Sequence, residues 1–438
     1  MPNIANSLSN FFNNHPQGLF TLFFTELWER FSYYGMRAIL VLYIISDQDS
    51  VNSGLGWSNS QAITLYGWYT ALVYLLCVPG GWLADKYITH KNAVLYGGWL
   101  LCLGHLLLAV KHTNVFFVGL LFIIVGVGLL KPSISTLVGS LYKETDIRRD
   151  QGFTIFYIGI NLGAFFASIL VGFVGEIYGW HYGFSLAGFG MIIGQIFFIR
   201  GKKHFQKDSK LRSTKENESL TKTQIDRIKL IIIASLILVI FWAAFEQAGG
   251  LLNIYAYEKT NRFLYAINFE IPASWFQSIN PLMIIIFGYF ISLLWLKLEA
   301  KNYINSSILK IAIGIMIMGS GFIFMFFASI EADTYGKSSM YWLVLAYALI
   351  TIGELCASPV ILSYITKLSP KQKVSSIMGI YFATIGLGNK LAGTIGVYSQ
   401  QLGEKKVFLG ITLICIIVGL TVIIFHNRLK KLAHGRLN

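Results

Sequence analysis

The sequence Glu-Leu-Trp-Glu-Arg-Phe-Ser-Tyr-Tyr-Gly-Met-Arg occupies residues 26–37, inside a segment that is otherwise apolar enough to cross a membrane. Its polar side chains recur at offsets of three and four residues, so one face of a helix carries them all. They are Glu26, Glu29, Arg30, Tyr33, Tyr34 and Arg37. A charge at the centre of a bilayer costs about 2.5–3.5 kcal/mol on insertion scales, and such residues usually face a water-filled cavity or a partner. We therefore expect the function to depend on this face.

The composition of the whole chain predicts a polytopic, all-helical membrane protein. Of its 438 residues, 55% are hydrophobic and only 13% are charged, whereas soluble proteins carry about 25% charged residues. Apolar runs of about 20 residues predict twelve transmembrane helices. They lie at 17–46, 60–84, 92–110, 115–142, 152–175, 180–199, 228–257, 274–298, 307–329, 340–366, 374–400 and 405–426. A transmembrane β-barrel would show short alternating strands instead and is excluded.

The distribution of basic residues predicts the orientation in the membrane. With the N-terminus in the cytoplasm, the cytoplasmic loops, their flanks and the C-terminal tail hold 25 of the 35 Lys and Arg residues. This is the positive-inside pattern, so the net charge of +14 is a topology signal rather than the sign of a nucleic-acid partner. We expect both termini in the cytoplasm, and the short loops favour a bacterial inner membrane.

A polar stretch divides the predicted helices into two equal groups. Six spans precede the stretch 201–227 and six follow it. We predict an N-terminal bundle at 1–200, a partly disordered cytoplasmic linker at 201–227, and a C-terminal bundle with a short cytoplasmic tail at 228–438. This organisation fits transporters built from two pseudo-symmetric halves, with the substrate site between them. Since no soluble domain or partner motif is visible, we expect a monomer in the lipid bilayer.

Cysteine and histidine give no sign of a metal site or a cofactor. The four cysteines, Cys77, Cys102, Cys356 and Cys415, fall in apolar spans without CxxC spacing, and we expect them to be reduced core residues. His105 is the single histidine in the middle of a span, and no HxxxH or HExxH pattern occurs. An enzyme would need a grouped nucleophile or metal cluster, so we do not expect enzymatic activity.

Eight charged residues lie in the interior of the predicted spans, more than three residues from either end. They are the acids Glu26, Glu29, Glu246 and Glu354 and the bases Arg30, Arg37, Lys131 and Lys390. Unpaired, they would cost on the order of 20 kcal/mol, so pairing or hydration must offset most of that free energy. Static ion pairs between helices are one interpretation. Apolar residues would pack a fixed interface at lower cost, which favours ion relays and substrate contacts.

The loop between the second and third predicted spans carries a motif of its own. Gly81-Trp82-Leu83-Ala84-Asp85-Lys86 resembles the signature of the major facilitator superfamily. The glycine usual after the Asp-cation pair is missing, with Ile88 and Thr89 in its region. Simple anchoring of the topology is the alternative interpretation of this charged segment.

The stretch at 26–35 resembles the ExxERFxYYG motif of the proton-dependent oligopeptide transporter (POT/PTR) family. Further matches follow in the expected order: Lys131-Pro132, Phe156-Tyr157 with Asn161, Phe241-Trp242 with Glu246, Ser274-Trp275 with Asn280, and Gly353-Glu354 with Pro359. The resemblance implies a major facilitator fold with twelve transmembrane helices in two six-helix bundles. It also implies a proton-coupled symporter that imports di- and tripeptides by alternating access.

The same resemblance implies which side chains bind peptide. The peptide carboxylate would be held by Arg37 and Lys131, with Arg30 nearby, and guanidinium suits bidentate recognition of a carboxylate. The peptide amine would be bound by Glu354, assisted by Asn161 and Asn280. Three tyrosines would line the cavity, although packing or interfacial anchoring is an equal alternative for each of them. They are Tyr33, Tyr34 and Tyr69.

Proton coupling and gating would rely on the remaining charges. By family resemblance, Glu246 pairs with Arg37 across an outer gate, and its protonation would release Arg37 for peptide carboxylate. The inner gate would pair Lys131 with Glu354. A second proton-handling cluster would consist of Glu26, Glu29 and Arg30, and Lys390 stays without an assigned role.

Three departures from the family pattern are visible, and three other functions are alternatives. The linker has no room for the two additional spans of many bacterial relatives, Tyr381 stands where tryptophan is usual, and Gly67 lies near the position of a proton-linked histidine in animal members. A carrier of nitrate or another small anion is the main alternative, which the intact first-span motif disfavours. A channel and a membrane-embedded enzyme are the others.

Overall fold

The computed structural model describes residues 14–143, 146, 148–205, 221–301, 306–369 and 374–434, and most of them are helical. The helices are α1 Gln17–Ile45, α2 Asn59–Leu75, α3 Cys77–Leu83, α4 His90–Leu108, α5 Thr113–Ser140, α6 Arg148–Phe173, α7 Trp180–Gly201, α8 Lys222–Phe245, α9 Leu251–Lys259, α10 Ile279–Ala300, α11 Ser307–Tyr335, α12 Met340–Leu368, α13 Val374–Leu402 and α14 Glu404–Leu432. Residues 206–220 of the predicted linker lie outside the described residues.

Four strands of two residues each lie in the loops. Strand β1 (Thr260–Asn261) pairs in parallel with β4 (Ser338–Ser339). Strands β2 (Phe263–Leu264) and β3 (Phe269–Glu270) form an antiparallel hairpin in which Phe263 faces Glu270. We call the end of the molecule that carries these strands and residues 46–58 the outer end, because the charge distribution predicts that it faces away from the cytoplasm. The opposite end is the inner end.

Every predicted span overlaps a helix in the described part of the chain. Among the described residues, nine helical segments are long and apolar enough to cross a membrane. Helix α1 is not one of them, because Glu26, Glu29, Arg30 and Arg37 interrupt its apolar sequence. The mostly helical, multi-pass architecture is therefore confirmed, and the count of twelve spans stays a prediction.

The predicted seventh span, 228–257, lies within the single apolar helical segment Lys222–Lys259, and this segment is interrupted near its outer end. Helix α8 begins at Lys222, six residues before the predicted start, and ends at Phe245. A 3-10 turn at Glu246–Ala248 follows, and the chain resumes as α9 at Leu251. The cause lies in Gly249 and Gly250, because consecutive glycines weaken a helix. The break places the Glu246 side chain at the end of α8.

Two seams join the helices of residues 14–205 to those of residues 221–434. In one seam, α2 packs against α13, and in the other, α6 packs against α10 and the 3-10 turn Ala273–Ser278 that precedes it. The hydrogen bonds and ion pairs across these two sets, in the described part of the chain, lie between the middle of the helices and the outer end. The outer end is therefore closed by polar contacts.

A short wide turn occurs twice, at opposite ends of the molecule. Residues Ala84–Ile88 form a π-helical turn before α4, and Val174–Tyr178 form another before α7. Each turn ends at a residue with positive φ, Thr89 at 68° and Gly179 at 139°. The chain thus needs a left-handed conformation where the usual glycine of the superfamily signature is replaced by threonine.

Candidate functional site

Helix α1 buries the first charged cluster on a single face. The Nε atom of Arg30 lies 2.9 Å from Glu26 Oε1 and 2.5 Å from Glu29 Oε2. The three side chains are almost completely buried. Apart from Arg30, no residue that the structure describes donates a hydrogen bond to either oxygen of Glu29. Since one guanidinium faces two carboxylates, the cluster has a spare acceptor for a proton.

The second cluster joins α1 to the end of α8. Arg37 Nη1 lies 3.4 Å from Glu246 Oε1 and donates a 3.5 Å hydrogen bond to Oε2. The hydroxyl of Tyr66 on α2 donates a 2.5 Å hydrogen bond to Glu246 Oε1. Arg37 and Glu246 are 7% and 4% exposed. The sequence-predicted partners are thus in contact, across the two sets of helices.

A glycine makes room for this contact. A Cβ atom built at Gly249 would lie 1.8 Å from the Tyr66 hydroxyl and 2.9 Å from Arg37 Nε. Both distances are far below van der Waals contact, so any side chain there would displace the tyrosine or the arginine. The break after α8 therefore both ends the helix and leaves space for the two partners of Glu246.

The predicted ion pair between Lys131 and Glu354 is not formed. Of the ion pairs between described residues, none joins them, and each has a different neighbour. Lys131 Nζ, in the inner half of α5, lies 3.7 Å from the centre of the Tyr74 ring. Glu354 Oε2, in the middle of α12, accepts a 2.7 Å hydrogen bond from Asn280 Nδ2, which also lies 3.1 Å from Thr351 Oγ1.

The predicted ion pair is absent because of where the two sets of helices contact each other. Lys131 and Glu354 belong to different sets, and the polar contacts that join the sets in the described residues are confined to the region from the helix middles to the outer end. The lysine is consequently stabilised by an aromatic face and the carboxylate by an amide. The structure thus holds a half-buried cation and a buried acid in separate positions.

Tyr34 lies between the first two clusters. Its ring centre is 5.9 Å from Arg30 Cζ and 5.2 Å from Arg37 Cζ. Tyr33 and Tyr69 are 2% exposed, and the Tyr69 hydroxyl has no hydrogen-bond partner among the described residues. Asn161 on α6 donates its amide to the carbonyl of Tyr157 in its own helix, at 2.9 Å. The predicted peptide contacts of these four residues stay predictions.

Apart from Tyr69, sequence reasoning missed the polar side chains of α2 that contact the charged residues. Tyr66 binds Glu246, Thr70 is buried, and Tyr74 contacts Lys131. These three residues recur at an offset of four, which places them on one face of a helix. This spacing can be read from the sequence. Tyrosine and threonine are common in this chain, however, so nothing distinguished these three residues from the others.

Other predicted features lie apart from these clusters. The four cysteines are buried, as predicted. Lys390 Nζ on α13 lies 4.5 Å from the centre of the Trp68 ring on α2, a cation–π contact on the exposed side of the seam. Across residues 14–434, leaving out the gaps named above, no group of three or more His, Cys, Asp or Glu side chains is arranged to hold a metal ion.

Comparison with known proteins identifies the family of this chain. A sequence model of the POT family, PTR2, matches residues 91–219 and 208–407. The chain belongs to the POT family. The transporter YclF of Bacillus subtilis is 36% identical over 97% of this POT family chain and 96% of its own length. The Yersinia enterocolitica peptide transporter YePEPT is 35% identical over 88% of both chains.

A di-/tripeptide transporter of Lactococcus lactis is 32% identical over 99% of both chains. That alignment spans 495 positions, more than the 438 residues of this family member, so the relative has segments without a counterpart here. Among solved structures, a peptide transporter POT in complex with sulfate superposes with a TM-score of 0.87, at 33% identity over 95% of this chain and 96% of its own. A POT family transporter in complex with a thioalcohol-conjugated peptide gives 0.86, at 30% identity over 95% and 97%.

Proposed function

We propose that this POT family member is a proton-coupled symporter that imports di- and tripeptides by alternating access. It would act as a monomer in the bacterial inner membrane, with both termini in the cytoplasm. The observation that carries the proposal is the separation of Lys131 from Glu354, neither of which forms an ion pair with another residue that the structure describes. Relatives named peptide and di-/tripeptide transporters support the choice of substrate.

A zwitterionic peptide matches this distribution of charge. Lys131 contacts the Tyr74 ring and forms no ion pair with a described residue, so a carboxylate that reaches it gains a strong charge-assisted contact. Glu354 accepts one hydrogen bond from Asn280, and its remaining lone pairs suit an ammonium group. Arg30, Arg37, Asn161 and the tyrosines Tyr33, Tyr34 and Tyr69 complete the proposed peptide site.

Proton coupling would use the pair that is already formed. Protonation of Glu246 removes the charge that holds Arg37, while the Tyr66 hydroxyl still has an acceptor. The released guanidinium becomes available to a peptide carboxylate, and the outer end loses a cross-set contact. Glu26, Glu29 and Arg30 would handle a second proton, because two buried carboxylates share one guanidinium.

Alternating access would then follow from competition for partners. The two bundles, 1–200 and 228–438, would rock about the central site, with the linker 201–227 between them. In the state described here the outer pair Arg37–Glu246 is closed. In the outward-open state the inner pair Lys131–Glu354 would close instead, and bound peptide would compete with both pairs.

Uptake of labelled dialanine into proteoliposomes tests the proposal. Under an imposed inward proton gradient we expect saturable accumulation, counterflow, and loss of accumulation with an uncoupler. Unlabelled trialanine should compete, whereas free alanine, tetraalanine and nitrate should not. Competition by nitrate with no effect of trialanine would support an anion carrier, and flux that fails to saturate would support a channel.

A matched pair of variants links the site to this assay. Glu354→Gln keeps the shape of the side chain and the contact with Asn280 but removes the charge proposed to bind the peptide amine. Glu258→Gln removes a charge from an exposed outer residue that accepts two 3.1 Å hydrogen bonds from Asn59. We expect uptake to be lost in the first variant and kept in the second. Equal uptake by both would contradict the proposed site.

A further inference from the structure

We propose that Glu176 is a positioning residue for transport, whose carboxylate latches the outer end of α6 to the start of the α10 segment. Glu176 lies on the π-helical turn that follows α6 and was not among the predicted site residues. Its side chain is 7% exposed. The predicted fifth span ended one residue before it, so the sequence placed it in a loop rather than among the buried charges.

The donors to this carboxylate all come from the opposite set of helices. Glu176 Oε2 accepts a 2.8 Å hydrogen bond from the Ala273 amide, and Oε1 accepts bonds of 2.9 Å and 2.6 Å from the amide and hydroxyl of Ser274. Arg262 Nη1 lies 3.9 Å from Oε2. Ala273 begins the 3-10 turn that runs directly into α10, so its amide is one that no helical carbonyl satisfies.

Neighbouring contacts show that the two surfaces fit closely. Trp275 Nε1 donates a 3.0 Å hydrogen bond to the carbonyl of Ile169 on α6. A Cβ atom at Gly172 would lie 2.0 Å from Ser274 Oγ. Arg262 also pairs with Glu270 at 2.9 Å, which ties the β2–β3 hairpin to the same point. The carboxylate is thus fixed by donors that would all be lost if α6 and α10 separated at their outer ends.

This latch differs from the Arg37–Glu246 pair in its position and in the chemistry of its donors. It joins the α6–α10 seam rather than α1 to α8, and its donors are a serine and backbone amides, which a peptide carboxylate has no reason to displace. Hydrogen bonds to a buried charged group are worth about a factor of ten or more each in an equilibrium. The latch therefore stabilises the closed outer end in the absence of peptide. The inference rests on the alternating access of the proposed function.

Distance measurements between spin labels test the latch directly. Ser50 and Lys337, both exposed on outer loops of opposite sets, are replaced by labelled cysteines, and the four native cysteines are buried and stay unlabelled. The protein is reconstituted without peptide, and double electron–electron resonance gives the populations of closed and open outer ends. We expect Glu176→Gln to raise the open population about tenfold, because it removes a buried charge from its donors.

Two further variants and one control make the result decisive. Ser274→Ala removes one donor and should also raise the open population about tenfold. Glu258→Gln, an exposed cross-set contact, should leave it unchanged. Unchanged distances in Glu176→Gln, or in Ser274→Ala if the first variant does not fold, would overturn the latch. So would a fall in melting temperature without any shift of populations, the result of a merely structural role.

Peptide uptake is measured in the same vesicles to keep the two proposals apart. Failure of the unaltered protein to take up dialanine would count against the proposed substrate. The distance populations would still support or overturn the latch, because they are recorded without peptide.

Discussion

The two pairs of opposite charges predicted to form gates behave differently in this structure. Arg37 and Glu246 are in contact at 3.4 Å, with a tyrosine hydroxyl on the same carboxylate. Lys131 and Glu354 have the same chemistry, yet the lysine lies over Tyr74 and the carboxylate accepts a bond from Asn280. Arg37 and Glu246 therefore neutralise each other. Lys131 and Glu354 are instead stabilised by uncharged groups, which a charged ligand can displace.

The difference teaches where a peptide has something to gain. A ligand carboxylate gains little binding free energy at Arg37, because it must displace the carboxylate of Glu246, which carries the same charge and is also hydrogen-bonded to Tyr66. It gains more at Lys131, which contacts an aromatic ring and forms no ion pair with a described residue. From the asymmetry between the pairs we propose that Lys131 and Glu354, the open pair, recognise the peptide and that Arg37 and Glu246, the closed pair, couple the proton. Four substitutions test this division.

The largest expected effect is on the open pair. Glu354→Gln should lower the ratio of maximal rate to half-saturating concentration for dialanine by about 100-fold, because it leaves a buried ammonium without its counter-charge. Uptake by proteoliposomes over a range of dialanine concentrations measures it. N-acetyl-dialanine, which has no charged amine, is the matched substrate, and the variant should no longer distinguish the two. A variant that keeps the discrimination of the unaltered protein would contradict the role of Glu354.

Next in size is a change that crowds the closed pair. Gly249→Ala places a methyl group 1.8 Å from the Tyr66 hydroxyl and 2.9 Å from Arg37 Nε, so the contact with Glu246 must shift. We expect proton-driven accumulation to fall about tenfold, the equivalent of roughly one charge-assisted hydrogen bond. Gly410→Ala is the control, since a Cβ atom there meets nothing within 4 Å. Equal accumulation in both variants would show that the pair needs no such space.

A smaller effect is expected from removing one hydroxyl. Tyr66→Phe deletes the 2.5 Å donor to Glu246 but leaves Arg37 in place, so accumulation should fall by a factor of about three to ten. Tyr255→Phe is matched to it, because that buried hydroxyl bonds to Ser338 within one set of helices. The account is weakened if the control variant loses as much accumulation as Tyr66→Phe.

The smallest effect should come from Lys390, a charged residue within a span that belongs to neither pair. Lys390→Leu removes a cation that contacts the Trp68 ring on the exposed side of a seam, and uptake should stay within about twofold of the unaltered protein. Initial rates of dialanine uptake measure this. If Lys390→Leu lowered the uptake rate as much as Glu354→Gln does, any charge within a span would matter for uptake. The proposed roles of the two pairs would then be contradicted.

Much of this architecture was predictable because it depends on local sequence. Apolar runs located the helices to within a few residues, since a bilayer imposes a minimum length on each span. The stripe from Glu26 to Arg37 identified the face that carries the charges, because helical periodicity is fixed. The contact between Arg37 and Glu246 followed only from family resemblance, and the structure shows it.

What was not predictable depends on distances between helices. The break at Gly249 and Gly250 looks like an ordinary small-residue pair until Tyr66 and Arg37 are seen to fill the space beside it. Glu176 was predicted to lie in a loop because the predicted fifth span ended at residue 175, whereas the helical turn continues to Tyr178. Span ends predicted from sequence are uncertain by a few residues. The contact of Tyr74 with Lys131 joins two helices whose relative rotation the sequence does not give.

The central claim is that protonation of Glu246 releases Arg37 and so couples the proton to the peptide. Measurement of dialanine accumulation and counterflow by Glu246→Gln in the same proteoliposomes tests it most directly, because the amide mimics the protonated carboxyl. We predict that counterflow exchange of dialanine persists while accumulation against its gradient is abolished. Accumulation by Glu246→Gln equal to that of the unaltered protein, with the same number of protons per peptide, would contradict the account.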